Sequence, residues 1–345
     1  MVNDRSLEVL KAIVRDYVDS REPVGSKSIV ERHAFGVSAA TIRNDMALLE
    51  EEQLIVAPHT SSGRVPTDKG YRVFVNHLAE ARPLSSAQRH AIETFLRPSN
   101  DLDETLGRTV RLLSQLTNQV ALVQYPSMIR ARIRHIELVR LSDTRLMTVL
   151  ITDTARVEQR ILETDVGIGD EALAELRGVV NAAAGGLLLQ DVRAVLLGIP
   201  ERVHPELQAL AGLVVAALVE QIGANRQDRL VMAGAANLAK SEDDFAGGLF
   251  PVLEAIEEQV TLLRLFGEMQ LDAVAVAASI GRENSAYLGG AAGLDATSVV
   301  AGGYTAAGGE VARLGVLGPT RMDYGSNIAA VRAVARYLSG LLGEN

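Results

Sequence analysis

Ser38-Ala39-Ala40-Thr41-Ile42-Arg43-Asn44-Asp45-Met46-Ala47-Leu48-Leu49 is the stretch that decides how the N-terminal part of this 345-residue chain folds. Ser38 offers a side-chain oxygen to the free amides of a helix start. Ile42, Met46 and Leu49 then recur at helical spacing as a buried stripe, which turns Arg43, Asn44 and Ala47 away from the core. Upstream, Leu7, Leu10, Val14, Tyr17 and Val18 alternate with charged residues and predict an amphipathic helix over 4–20, ended by Glu22-Pro23-Val24-Gly25. Ser26 is placed to cap a short second helix carrying Ile29 and Val30, closed at the His33 to Gly36 turn. Downstream, Leu54-Ile55-Val56 and Arg64-Val65-Pro66 flank a turn-rich stretch and predict a hairpin, after which Thr67 caps a helix with Tyr71, Phe74, Val75 and Leu78.

Helix, helix, helix, hairpin, helix is the order of a winged helix-turn-helix. In that motif the third helix enters the DNA major groove and the hairpin wing lies along the backbone. Arginine presents a bidentate fork to guanine, asparagine a donor and acceptor pair to adenine, and a threonine hydroxyl serves base or phosphate. Ser38, Thr41, Arg43 and Asn44 are therefore the candidate DNA-binding residues of the helix, and Arg64 the candidate phosphate or minor-groove contact of the wing. The net charge of −9 argues at face value against nucleic acid, but residues 1–83 hold 11 Lys and Arg against 12 Asp and Glu, so the acidic excess lies beyond residue 83. An ordinary helical subdomain with solvated polar residues is the alternative for this segment.

Residues 84–100 predict a linker helix, with a Ser85-Ser86-Ala87-Gln88 capping box between Arg82-Pro83 and Arg97-Pro98-Ser99-Asn100. Asp101 to Glu104 start a further helix with Leu106, Val110, Leu113 and Leu116 on one face. Ile133 to Ile161 turns strand-like, and Asp272 to Ala278, Ser298 to Tyr304 and Val311 to Leu317 are expected to complete the same sheet. Residues 165–229 read as a helical insertion, in which Leu213, Val214, Ala217 and Leu218 form an apolar surface suited to a second copy or to the sheet. Arg130, Arg132 and Arg134 alternate along one strand side, as a blunted edge or a second phosphate contact.

Zero cysteines exclude disulfides, thiolate metal sites and thiol nucleophiles. The six histidines show no i, i+4 pairing, and no GxxxxGK[ST] or GxSxG motif occurs, so no catalytic residue, metal or cofactor is expected. The glycine runs at 289–293 and 302–309 lack a following lysine and read as sheet turns. The longest apolar run, Ala209 to Val219, falls short of the roughly 20 residues of a membrane span, and the charged N-terminus has no signal-peptide core. A cytoplasmic location without a membrane partner is expected.

Pro23 to Lys27, Ser38 to Met46, Leu54 to Pro58, His59 to Thr67 and Gly70-Tyr71-Arg72 resemble the HrcA heat-inducible transcription repressors. Gly318-Pro319-Thr320-Arg321-Met322-Asp323-Tyr324 and Gly281-Arg282-Glu283-Asn284 resemble the C-terminal signature of that family, with Arg282 standing where an acidic residue is expected. The resemblance implies a multidomain α+β protein. Residues 1–83 would be the winged helix-turn-helix domain and 84–100 the linker. Residues 101–164 and 230–345 would form a GAF-like domain, interrupted at 165–229 by a mainly helical dimerisation domain. It also implies a homodimer that represses chaperone operons by binding double-stranded DNA at an inverted-repeat operator of CIRCE type, kept active by the GroEL chaperonin. A winged-helix regulator responsive to a small metabolite, and an enzyme built on the sheet domain, are the competing functions.

Overall fold

A computed structural model of the chain describes residues 3–59, 62–77, 84–96, 99, 101–126, 131–154, 157–165, 167, 169–224, 229–245, 248–269, 276–287, 294–306 and 311–343. Thr60-Ser61, Leu78, Arg82-Pro83, Arg97-Pro98, Asn100, Arg130 and the glycines at 289–293 and 308–309 lie outside the described residues. The chain forms two compact units, one of Met1–Gln124, Arg229–Tyr304 and Arg313–Leu341, the other of Tyr125–Asp228, Thr305–Ala312 and Leu342–Asn345.

The first unit begins with helices α1 (Asp4–Ser20), α2 (Ser26–Arg32) and α3 (Ala39–Glu51), the strands β1 (Ile55–Val56) and β2 (Val65–Pro66), and helix α4 (Asp68–His77). Asn3 caps α1 through its side chain and Ser38 caps α3, whereas α2 starts at Gly25 without a side-chain cap, so Ser26 is its first residue and not its cap. Ile13, Ile29, Ile42, Leu49 and Ile55 are fully buried where these elements meet. Each such aliphatic side chain contributes about 1.5–3 kcal/mol on burial. Ile55 pairs with Pro66 and Val56 with Val65, the proline sitting where a two-stranded ladder tolerates a missing donor.

The capping box at Ser85 and Gln88 forms as the spacing predicts, opening α5 (Ser86–Phe95), and Asp101 caps α6 (Leu102–Thr117). Strands β3 (Val120–Gln124), then β7 (Leu230–Ala233), β8 (Val276–Ile280), β9 (Thr297–Thr305) and β10 (Val311–Pro319) make a five-stranded sheet in the order β7-β3-β10-β9-β8. Helices α10 (Ala236–Ala239), α11 (Phe250–Glu257), α12 (Val260–Glu268), α13 (Arg282–Tyr287) and α14 (Tyr324–Gly343) complete this unit. Val120 and Leu122 pack with Leu262, Leu265 and Phe266, while Ala121 and Val123, of opposite parity, are equally buried. Both sheet faces are therefore covered.

The second unit holds β4 (Ile133–Ser142), β5 (Arg145–Thr152) and β6 (Val157–Glu163), with α7 (Asp170–Ala184), α8 (Val192–Leu197) and α9 (Gln208–Ala224). Its three strands form a separate antiparallel sheet, so the single sheet expected from Ile133 onward is two. Leu146, Thr148, Leu150 and Thr152 point inward on β5 while Met147, Val149 and Ile151 point outward, as in a sheet covered on one face. The Asn181 amide on α7 bridges the Ile136 N–H and carbonyl on β4, at 2.8 and 2.6 Å, and Thr148 donates to Gln221 on α9 at 3.0 Å. Leu176, Val180, Leu196, Val214 and Leu218 fill the space between, in a core whose apolar side chains are all aliphatic.

Of Leu213, Val214, Ala217 and Leu218, expected as an apolar surface, Val214 and Leu218 lie inside that core and Ala217 is buried, while Leu213 is half-buried. By length and composition Pro205–Gly223 passes as a membrane span, yet Ala211, Val214, Val215, Leu218 and Ile222 pack against the sheet and its neighbouring helices.

Candidate nucleic-acid interface

The exposed side of α3 is built from its first turn. Ser38 Oγ accepts from the Thr41 amide at 3.2 Å and lies 3.0 Å from Thr41 Oγ1, which satisfies one orphan amide and orients both hydroxyls outward at the helix start. One turn on, Arg43 and Asn44 are exposed, and with Ala47 and Leu48 they make a single face. Among the described residues neither Arg43 nor Asn44 has a side-chain hydrogen bond or ion pair, so their donors and acceptors are free for base edges.

Opposite that face Asp45 is 1% exposed and accepts two hydrogen bonds from Arg5, Nε at 2.8 Å and Nη2 at 3.2 Å, and one from Ser6 Oγ at 3.0 Å. The hydrogen bonds and charge of Asp45 raise the Arg5 pKa, so the guanidinium stays charged. A buried carboxylate in the middle of α3 is thereby tied to the start of α1, and the helix cannot rotate about its own axis without breaking three polar contacts. This polar anchor falls at i+1 and i+2 from Asn44 and Arg43. It carries no apolar periodicity and was not a candidate on sequence grounds.

Arg64 stands beside β2, where its backbone pairs with Val24 through two hydrogen bonds of 2.9 Å. Its guanidinium turns onto Glu50 near the end of α3 and donates to the Ser62 carbonyl at 3.2 Å. It is therefore joined to α3 and not extended alone into solvent. Ser62 closes the hairpin tip by accepting from the His59 amide at 3.0 Å and donating to the His59 carbonyl at 2.7 Å. Lys27, on the first turn of α2, is exposed, and among the described residues it too has no side-chain partner. A solitary lysine has no sequence signal beyond its charge.

Among the described residues no group of three or more His, Cys, Asp or Glu side chains is arranged to hold a metal ion. Arg132, one of the alternating arginines, donates to the Gly186 carbonyl at 2.9 Å and accepts backbone pairing near Leu188, so that end of β4 is covered by neighbouring chain.

A family model described as the HrcA protein C-terminal domain matches residues 103–328. The chain is 64% identical over 344 residues to the heat-inducible transcription repressor HrcA of Leifsonia xyli subsp. xyli, covering 100% of both chains. It is 63% identical, again over 100% of both, to the protein of the same name from Clavibacter michiganensis subsp. michiganensis. A crystal structure of a hypothetical protein, 25% identical, superposes with a TM-score of 0.61 over 99% of this chain and 100% of that one. With relatives this similar from end to end and a family model spanning most of its length, the chain belongs to the HrcA family.

Proposed function

We propose that the protein is a heat-inducible transcription repressor that binds DNA through α1 to α4 folded as a winged helix-turn-helix. The observation that carries this is the α3 face, where free Arg43 and Asn44 stand on a helix whose other side is fixed by the buried Asp45. In this reading α3 lies in the major groove, the Ser38 and Thr41 hydroxyls meet phosphate or base at its start, and the β1–β2 hairpin runs along the backbone. The protein acts by occupying DNA and catalyses nothing. The GAF-like designation applies to the five-stranded sheet with its covering helices.

The operator is an inverted repeat, and a homodimer supplies two heads. The outer face of the β4–β6 sheet suits the dimer contact. In register Val139, Met147 and Ile161 form one row, and Ile151 lies beside Val157, with Val157 59% and Ile161 51% exposed. A two-fold contact on this face would bury side chains that a monomer leaves in water. Family resemblance adds chaperone operons as the target and the GroEL chaperonin as the partner that keeps the repressor active.

Gel shifts with inverted-repeat duplexes selected from a random pool test the reading. Arg43→Ala and Asn44→Ala each lose about 1–3 kcal/mol of specific binding, relax preference at one base pair per half-site and leave the thermal midpoint unchanged. Equal binding by wild type and both variants would remove α3 from the interface. Mild heating followed by GroEL with nucleotide restores the shift if the chaperonin acts as proposed.

A further inference from the structure

We propose that three polar anchors between the N-terminal head and the sheet of the first unit set the direction in which α3 is presented on that unit, and so narrow the range of half-site spacings that the dimer accepts. This rests on the DNA-binding reading above. The first anchor is Arg72 on α4, which donates from Nε to Glu283 Oε1 at 2.8 Å and from Nη2 to the Ala278 carbonyl at 2.7 Å, and also meets Glu283 Oε2. Glu283 is itself aimed by the Ile280 amide, 2.9 Å from Oε2. The second is Asp68 at the start of α4, which accepts from the Arg282 amide at 3.2 Å with the Arg282 guanidinium 4.0 Å away. Arg282 thus faces a carboxylate of the head.

The third anchor grips the other end of the head. Arg321 binds Asp244 with two parallel bonds, Nε at 2.9 Å and Nη2 at 2.8 Å, and its remaining Nη1 donates to the Val18 carbonyl at 2.6 Å, in the last turn of α1. A helix C-terminus leaves its final carbonyls unpaired and carries partial negative charge, so a guanidinium held there is favourable twice over. Arg21, just past α1, adds a longer contact to Asp244 at 3.7 Å. Side chains of Arg321 and Asp244 are 9% and 10% exposed, which removes them from the class of solvated ion pairs that contribute almost nothing. Between the anchors Tyr71 and Tyr324 meet at 5.6 Å. Contacts on two differently directed helices restrict rotation of the head as well as translation. With two heads on one dimer, a head held on its own unit leaves fewer arrangements of the two recognition helices than a swivelling head does.

The test uses the full chain, whose lack of cysteine makes an engineered pair unambiguous. Wild type, Arg72→Gln, and Arg72→Gln with Asp68→Cys and Arg282→Cys are compared on inverted repeats with 0 to 5 base pairs inserted between half-sites. Wild type loses about a hundredfold in affinity when the second head is thrown out of phase, because avidity disappears. Arg72→Gln loses tenfold or less, and so does the triple variant when reduced; oxidising its cysteines restores the wild-type penalty. A role in folding alone lowers affinity at every spacing and leaves the penalty as it was, which overturns the proposal. So does an oxidised variant that binds no operator until reduced, since the head would then have to leave its anchors to reach DNA. If wild type shows no preference for an inverted repeat, the DNA-binding reading fails, and spin labels at Glu31→Cys and Glu268→Cys judge the anchors alone: a distance distribution as narrow in Arg72→Gln as in wild type rejects them.

Discussion

Arg64 donates from Nε to Glu50 Oε2 at 2.9 Å, with Nη2 also 2.9 Å from that oxygen, so the cation next to the hairpin is paired with the helix that carries the exposed Arg43 and Asn44. The pair is partly exposed, at 28% and 37%, and its direct contribution to stability is small. Its consequence is for charge: Arg64 reaches a phosphate only by leaving Glu50 or by sharing it.

Glu50→Gln therefore frees a cation without touching α3's outer face. Affinity for random duplex DNA rises severalfold, and the slope of log K against log salt steepens by about one. Preference among bases is unchanged. Titrations at four salt concentrations decide it; a fall in affinity would mean that the pair braces the hairpin.

Asn181→Ala strips two backbone groups of Ile136 of their partner, at a cost of about 2–3 kcal/mol. Asn181→Asp is worse at neutral pH, because a carboxylate oxygen then faces the Ile136 carbonyl. Urea melts followed by far-ultraviolet circular dichroism report both.

Gly281 has φ +57°, and a Cβ there would stand 2.4 Å from the Asp68 carboxylate. Gly281→Ala pays for both, about 1–3 kcal/mol in all. Asp68→Ala added to it relieves the overlap and leaves the backbone strain, so the two changes together cost less than their sum. Denaturation midpoints of the two singles and the double give the coupling directly.

Burial pushes the Tyr71 hydroxyl well above its ordinary value, with the neighbouring Tyr324 adding to it, and burial pushes Tyr324 up against a hydrogen bond from Ser298 that pulls it down. Both are neutral in the folded chain where the unfolded chain ionises, near pH 10. Their stabilisation is intact below that pH and declines above it, because the unfolded state then binds fewer protons, by about 1.4 kcal/mol per pH unit for each. Among the described residues the Tyr71 hydroxyl has no hydrogen-bond partner, so Tyr71→Phe costs nothing at pH 7 and halves the alkaline slope. Urea midpoints between pH 9 and 11.5 measure it.

Elements governed by local rules were legible in the sequence. Ser38, Thr67 and the Ser85–Gln88 box announce helix starts through side chains two or three residues away, and Ile42, Met46 and Leu49 mark the hidden side of α3. Partition of the strands was not, since pairing joins residues as distant as Val123 and Leu314. A clue was present all the same: β5 alternates buried and half-buried positions, whereas Val120 to Val123 are buried without interruption, the difference between a sheet covered once and one covered twice. That Arg43 and Asn44 would lie on the exposed side of α3 was legible too, because the apolar stripe fixes which side is hidden. The support of α3 by Asp45 and the pairing of Arg64 were not, because an ion pair between residues 14 or 40 positions apart leaves no periodicity.

The aliphatic core of the second unit has an optical corollary. From residue 126 to residue 228 the chain contains no Phe, Tyr or Trp, and the protein as a whole contains no Trp. Six of the seven tyrosines, Tyr125 being the exception, and all six phenylalanines lie in the first unit, so tyrosine fluorescence and near-ultraviolet circular dichroism come mainly from it, with Tyr71, Tyr304 and Tyr324 buried there. Were the second unit to melt alone on heating, both signals would stay nearly flat while helix content and heat capacity changed. A tryptophan placed at Leu176 or Leu218 would give that unit a signal of its own.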